Sequence, residues 1–132
     1  MRLFLLALIL PFLVACKTSP YGDVPKELAS KVRTFEDVVR WGALEKMYLF
    51  LDKEEQQGVK VPEGLSNVRV TSYEVASPIT KLEEGRWSQT AVIDYVLVDR
   101  QIVRKVIDQQ VWVSDDEDGK IWYRGNPVPQ FQ

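Results

Sequence analysis

Two acids stand inside strand-like stretches that carry apolar residues, and they are the first residues to ask for chemistry. Asp94 is flanked by Ala91, Val92, Ile93, Tyr95 and Val96, and Asp108 lies within the run from Ile102 to Ser114. A carboxyl held inside such a strand can be pushed towards neutrality and used in proton transfer. More often it faces water, paired across strands with a base such as Arg104 or Lys105. The chain contains no His, so the commonest general base and the commonest metal ligand are missing. Its one cysteine is Cys16. Neither a Ser-His-Asp nor a Cys-His system can be built. A zinc site would have to consist of carboxylates alone, against the preference of zinc for nitrogen and sulfur. No metal site and no cofactor site is expected, and no residue is assigned a catalytic role.

Asp115, Asp116, Glu117 and Asp118 form an acidic run. A calcium loop needs oxygen ligands at alternating positions and a closing glutamate. This run is too short for that, and it joins two strand-like segments, so a solvated hairpin tip is expected. Trp41, Trp87, Trp112, Trp122, Tyr48, Tyr73 and Tyr95 fall where periodicity predicts core. A ligand pocket between the elements would be lined by Trp41, Asp94, Tyr95 and Trp112.

The amino terminus carries a different kind of signal. Met1 and Arg2 precede an apolar run from Leu3 to Ala15, broken only by Pro11. A bilayer span takes about 20 apolar residues, whereas the core of an export signal takes roughly 7–15. The run has no polar face, which argues against an amphipathic core helix. It ends in Leu13-Val14-Ala15-Cys16, which resembles the lipobox of bacterial lipoproteins. The resemblance implies that Cys16 carries a thioether-linked diacylglycerol, that cleavage falls between Ala15 and Cys16, and that the new amino group is acylated. Two or more acyl chains anchor stably where one is marginal. Lipidation also accounts for a lone thiol in an exported chain. Lys17 follows, and the lack of Asp there implies the outer membrane, facing the periplasm.

The formal charge is −2 and no basic patch stands out, which argues against nucleic acid. Residues 1–15 are expected to be the leader and 16–33 the lipidated Cys and a tether, whose stretch from Lys17 to Val24 contains Thr, Ser, Pro, Tyr, Gly and Asp. Residues 34–132, enough for one core but not two, form the domain. Pro25 to Lys31 is compatible with a helical turn after Asp23. The stronger helix start is Thr34-Phe35-Glu36-Asp37, a variant of the capping box. Phe35, Val38, Val39, Leu44, Met47, Tyr48 and Leu51 repeat at helical spacing, but on one straight helix they would surround it. A break at Gly42 resolves this, and Gly58 ends the helical part.

From Ser66 the period is two, with a phase slip near Ser72 that suggests a bulge. Strands are expected from Ser66 to Pro78, Trp87 to Val98, Ile102 to Ser114 and Ile121 to Arg124. Turns fall at Glu83-Glu84-Gly85, Asp99-Arg100-Gln101 and Asp118-Gly119. Ala91, Ile93, Tyr95 and Leu97 share one face, as do Val103, Ile107, Val111 and Val113. The fold class is α+β, with N-terminal helices packed on a curved, mainly antiparallel, cone-like sheet of about four strands.

Two pieces carry a likeness to a known family. The segment Phe35 to Lys46 looks like paired helices with a Gly between them. Val111-Trp112-Val113, an acidic turn and Gly119-Lys120-Ile121-Trp122-Tyr123 look like a terminal hairpin. On these the chain resembles the nuclear transport factor 2-like superfamily, which includes polyketide cyclase-like enzymes, over roughly Thr34 to Phe131. Those enzymes place an Asp, often with His or Tyr, in a cone-shaped pocket. Here His is absent, and Asp94 and Tyr95 point to opposite faces of one strand. The leading expectation is therefore a non-enzymatic binding or accessory module of the cell envelope. Its partners would be the bilayer through acylated Cys16 and an envelope protein or a small apolar ligand. A small-molecule cyclase or isomerase and a structural subunit of an envelope complex are the alternatives.

Replacing the thiol tests the lipidation directly. Cys16→Ser is expected to abolish metabolic labelling with palmitate and to leave the leader uncut, as read by gel mobility and mass spectrometry.

Overall fold

The first helix starts earlier than the capping pattern at Thr34 suggests, because the apolar stripe that it buries starts earlier. In the structure, a computed structural model that describes residues 22–41 and 43–132, α1 spans Lys26–Trp41. Pro25, whose fixed φ suits a helix entry, stands just before it, and its carbonyl accepts from Ala29 N at 2.9 Å. Leu28, Ala29, Val32, Phe35 and Val39 are buried at helical spacing. Glu27 in the first turn and Arg40 in the last match the helix dipole. Thr34 is mid-helix, and its Oγ1 donates back to Ser30 O at 2.9 Å rather than capping anything. Leu28 and Val32 belong to the core, so the folded domain begins before residue 34. The leader, Ala15, Cys16 and Gly42, where the break was expected, lie outside the described residues.

After Trp41 the helical part continues as a 3-10 helix, Leu44–Phe50, that buries Leu44, Met47, Tyr48 and Phe50. The short α2, Lys53–Gly58, buries nothing. Asp52 caps it, accepting from Lys53 N at 2.7 Å, and Gln56 Nε2 ties it back to Leu51 O at 2.6 Å.

Four antiparallel strands follow in the order β1-β2-β3-β4, and the sheet does not close. They are β1 Val68–Glu83, β2 Arg86–Leu97, β3 Ile102–Val113 and β4 Tyr123–Arg124. The pairing of β1 with β2 shifts between Val70 and Ser72, where the phase slip lies. β1 runs on through Pro78, where an end was expected. As an edge strand it has no second neighbour to need the missing N–H.

The face of β2 agrees with its pattern: Trp87, Gln89, Ala91, Ile93 and Tyr95 point inward and are buried. For β3 the expected face is reversed. Val103 and Ile107 are 75% and 63% exposed, whereas Asp108, Gln110 and Trp112 are buried. Register explains this. Cross-strand partners share a face, and β2 places Ala91 opposite Asp108, Gln89 opposite Gln110, and Trp87 opposite Trp112. One indole then outweighs several small aliphatics. Trp112 packs edge-to-face on Phe35 at 5.6 Å and on Phe50 at 6.2 Å between ring centroids, and those two rings meet at 5.1 Å. This triad of rings joins helix, 3-10 helix and sheet.

The turns carry a local test. Gly85 has φ +73°, and an added Cβ would lie 2.8 Å from Ser114 O, whereas Gly119 (φ +63°) has open space around it. Gly119→Ala should cost about 1–2 kcal/mol of backbone strain. Gly85→Ala should cost on the order of 3 kcal/mol, since the contact with backbone adds to the strain. Urea unfolding of the two variants measures the difference.

Candidate functional site

Inverting β3 puts Asp108, one of the two candidate acids, into the core, where it needs a counter-charge. β4 supplies it. Arg124, fully buried, donates from Nη1 to Asp108 Oδ2 at 2.9 Å and from Nη2 to Oδ1. The guanidinium also donates to Pro127 O at 3.0 Å and to Asn126 O at 3.3 Å. The Phe35 ring covers it, 5.0 Å from centroid to Cζ. Gln110 extends the network: Nε2 donates to Asp108 Oδ2 at 3.0 Å and to Tyr73 Oη at 2.7 Å, and Oε1 accepts from Trp112 Nε1 at 3.1 Å. Burial, foremost, pushes the Tyr73 phenol well above its ordinary value, and the Asp108 charge adds to this. Nearby, Gln89 Oε1 is buried without a hydrogen-bond partner among the described residues.

Both oxygens of the Asp108 carboxylate are taken up by the Arg124 guanidinium, and the pair is buried, so neither oxygen is open to a substrate. The Asp108 cluster therefore serves as internal structure. Asp94 lies on the other face of the sheet, half-buried. It accepts from Ser72 Oγ at 3.0 Å and pairs with Lys105 Nζ at 3.2 Å, the cross-strand arrangement weighed from the sequence.

The four residues set out as a pocket lining do not converge. Trp112 is at the centre of the core. Tyr95 is buried at the sheet's end, its hydroxyl donating to Gln132 O at 2.9 Å and its ring edge-on to Phe131. Asp94 faces outward. Trp41, expected in the core, is 81% exposed. It follows the buried Val39 by two positions, about 200° around the helix, and so points away from the sheet. The acidic run is a hairpin tip organised by Asp116. That carboxylate accepts from Lys120 N at 3.1 Å and Asp118 N at 3.2 Å, which holds its pKa below the usual range. Among the described residues, no three His, Cys, Asp or Glu side chains come together as a metal would need.

Several open concavities lie elsewhere, and the most apolar of them is on the helical side. A groove of about 670 Å³ runs between α1 and the 3-10 helix, lined by Val38, Leu49 and Phe50 and by Lys26, Lys31 and Lys46. Glu27 is the one acid in its lining. Lys31 Nζ stands over the Phe50 ring, 5.8 Å from its centroid, a cation–π distance. Such a volume falls within the range of about 300–1,000 Å³ typical of small-molecule sites. Sequence reasoning passed over Leu49, which is off the core stripe of its helix, and Arg124, whose one signal was a base next to the apolar Ile121-Trp122-Tyr123.

Two experiments probe the buried network. Arg124→Met should cost about 3–5 kcal/mol, because it strands the Asp108 charge, and adding Asp108→Leu should recover much of that loss. Tyr73 keeps its proton in the fold at a pH where the unfolded chain, with a phenol near 10, has lost it. Stability is thus intact below about pH 10 and falls as pH rises above it. Tyr73→Phe should flatten the fall in urea midpoint between about pH 9 and 11. Tyr123, raised to about 12 by its hydrogen bond to Asp115, keeps part of the slope.

Comparison with family models, with curated proteins and with solved structures finds no match to this chain.

Proposed function

We propose that this chain is a lipid-anchored module of the bacterial cell envelope that binds rather than catalyses, held by acylated Cys16 at the periplasmic side of the outer membrane. Its binding face is the groove between α1 and the 3-10 helix. The observation that carries the proposal is the composition of that groove, with apolar Val38, Leu49 and Phe50 beside Lys26, Lys31 and Lys46. This suits a small amphiphile with an apolar body and an anionic end. The cyclase-like alternative needs a free carboxyl in an enclosed pocket. Asp108 has both oxygens occupied by Arg124, and Asp94 is on the outer face of the sheet.

An anionic apolar dye, anilinonaphthalene sulfonate, tests the groove. Its fluorescence is expected to rise on binding to the folded protein. Leu49→Asp should weaken binding about tenfold, the loss expected from removing one leucine contact and adding a like charge. Leu49 is 67% exposed, so thermal stability should be unchanged. Equal dye binding by the variant would place the site elsewhere.

A further inference from the structure

The exposed aromatic residue left over from the core stands further along α1 than this groove, where it lines a separate concavity with Val39, Arg40 and Leu44. Three of the four tryptophans, Trp87, Trp112 and Trp122, are buried, and Trp41 alone is exposed. Trp41 lies three positions after Val38, a groove residue, and so on a neighbouring stripe of α1. Leu49, in the groove, is the second large apolar side chain left to solvent on these helices. An exposed Trp and Leu beside three lysines form the residue set that settles at the boundary of an anionic membrane. The indole sits at the headgroup level and the ammonium groups meet the lipid phosphates.

The length of the chain before α1 supports the same conclusion. Ten positions separate Cys16 from Lys26. Fully extended, they span at most about 36 Å. A domain anchored at Cys16 therefore keeps the start of α1 within about 36 Å of the bilayer.

We infer that the face of α1 and the 3-10 helix bearing Trp41, Leu49, Lys26, Lys31 and Lys46 docks on the surface of an anionic lipid bilayer. The inference rests on the reading of this groove as the binding face and names its partner. The net negative charge of the chain makes the lysine cluster run against the overall sign, so the orientation is selective. At roughly fivefold per lysine, the three together favour the docked state by on the order of a hundredfold on anionic over neutral lipid.

The test uses the acylated chain reconstituted in vesicles that carry bromine-labelled acyl chains, which quench only tryptophans in contact with lipid. The three buried tryptophans stay silent, so the signal comes from Trp41. Quenching is expected in phosphatidylglycerol-containing vesicles and is expected to be weak in pure phosphatidylcholine. It should vanish in Trp41→Phe and fall to the phosphatidylcholine level in the triple variant Lys26→Gln, Lys31→Gln, Lys46→Gln. Equal quenching on both lipids, none on either, or quenching that persists in Trp41→Phe overturns the inference. Dye binding without quenching leaves the groove as a small-ligand or protein site and removes the membrane. Quenching of the mature chain without its acyl groups by added bromine-labelled anionic vesicles supports the docking face independently of the anchor at Cys16.

Discussion

Arg124 and Asp108 form an ion pair in the middle of the protein, and the surrounding elements are arranged to make that pair tolerable. Two charges taken out of water cost several kcal/mol each unless their remaining valences are filled. Here they are. Arg124 spends its other donors on the carbonyls of Asn126 and Pro127, which draws the C-terminal segment under the sheet. Gln110 fills a remaining position on Asp108 and links it to Tyr73 on β1 and Trp112 on β3. Phe35 from α1 covers the guanidinium. One pair thus orients β1, β3, β4, the C-terminal segment and the first helix. A four-stranded sheet whose last strand has two residues needs such a fastening, since two ladder positions alone would not hold it.

The same pair decides what is left for the outside. With Asp108, Gln110 and Trp112 inward, the aliphatic set of β3 is turned to solvent. Lys105 stands among Val103 and Ile107 on that outer face. It pairs with Asp94 on β2. Carboxylate chemistry is thereby spent on structure, on one face as a buried pair and on the other as a surface pair. A concavity on the helical side lies between α1 and the 3-10 helix.

Much of the fold was legible because it depends on short-range patterns. The change of period near Ser66 separates helices from strands. The slip at Ser72 marks a real register shift, and the turns at Gly85, Gln101 and Gly119 sit where their residue types place them. The helix start was misjudged because the capping pattern at Thr34 competes with an apolar stripe that begins at Leu28, and burial of the stripe wins. Of the residues considered as a site, Asp94 kept its cross-strand partner. Trp41 left the core, and Asp108 entered it. The groove was not legible, because it exists only where two helical segments diverge.

What the sequence by itself determined is local. It set the class of each segment, the order of the strands, the absence of imidazole and thiol chemistry from the domain, and the apolar run before Cys16 on which the lipoprotein reading rests. What only the tertiary structure decided is which face of β3 is inside. Alternation tells that Val103, Ile107, Val111 and Val113 share a side, but not which side. Either phase satisfies the pattern, and the choice falls to contacts far apart in sequence. Trp112 reaches Phe35 and Phe50 only from the inner side, and Asp108, brought inward with it, is matched there by Arg124.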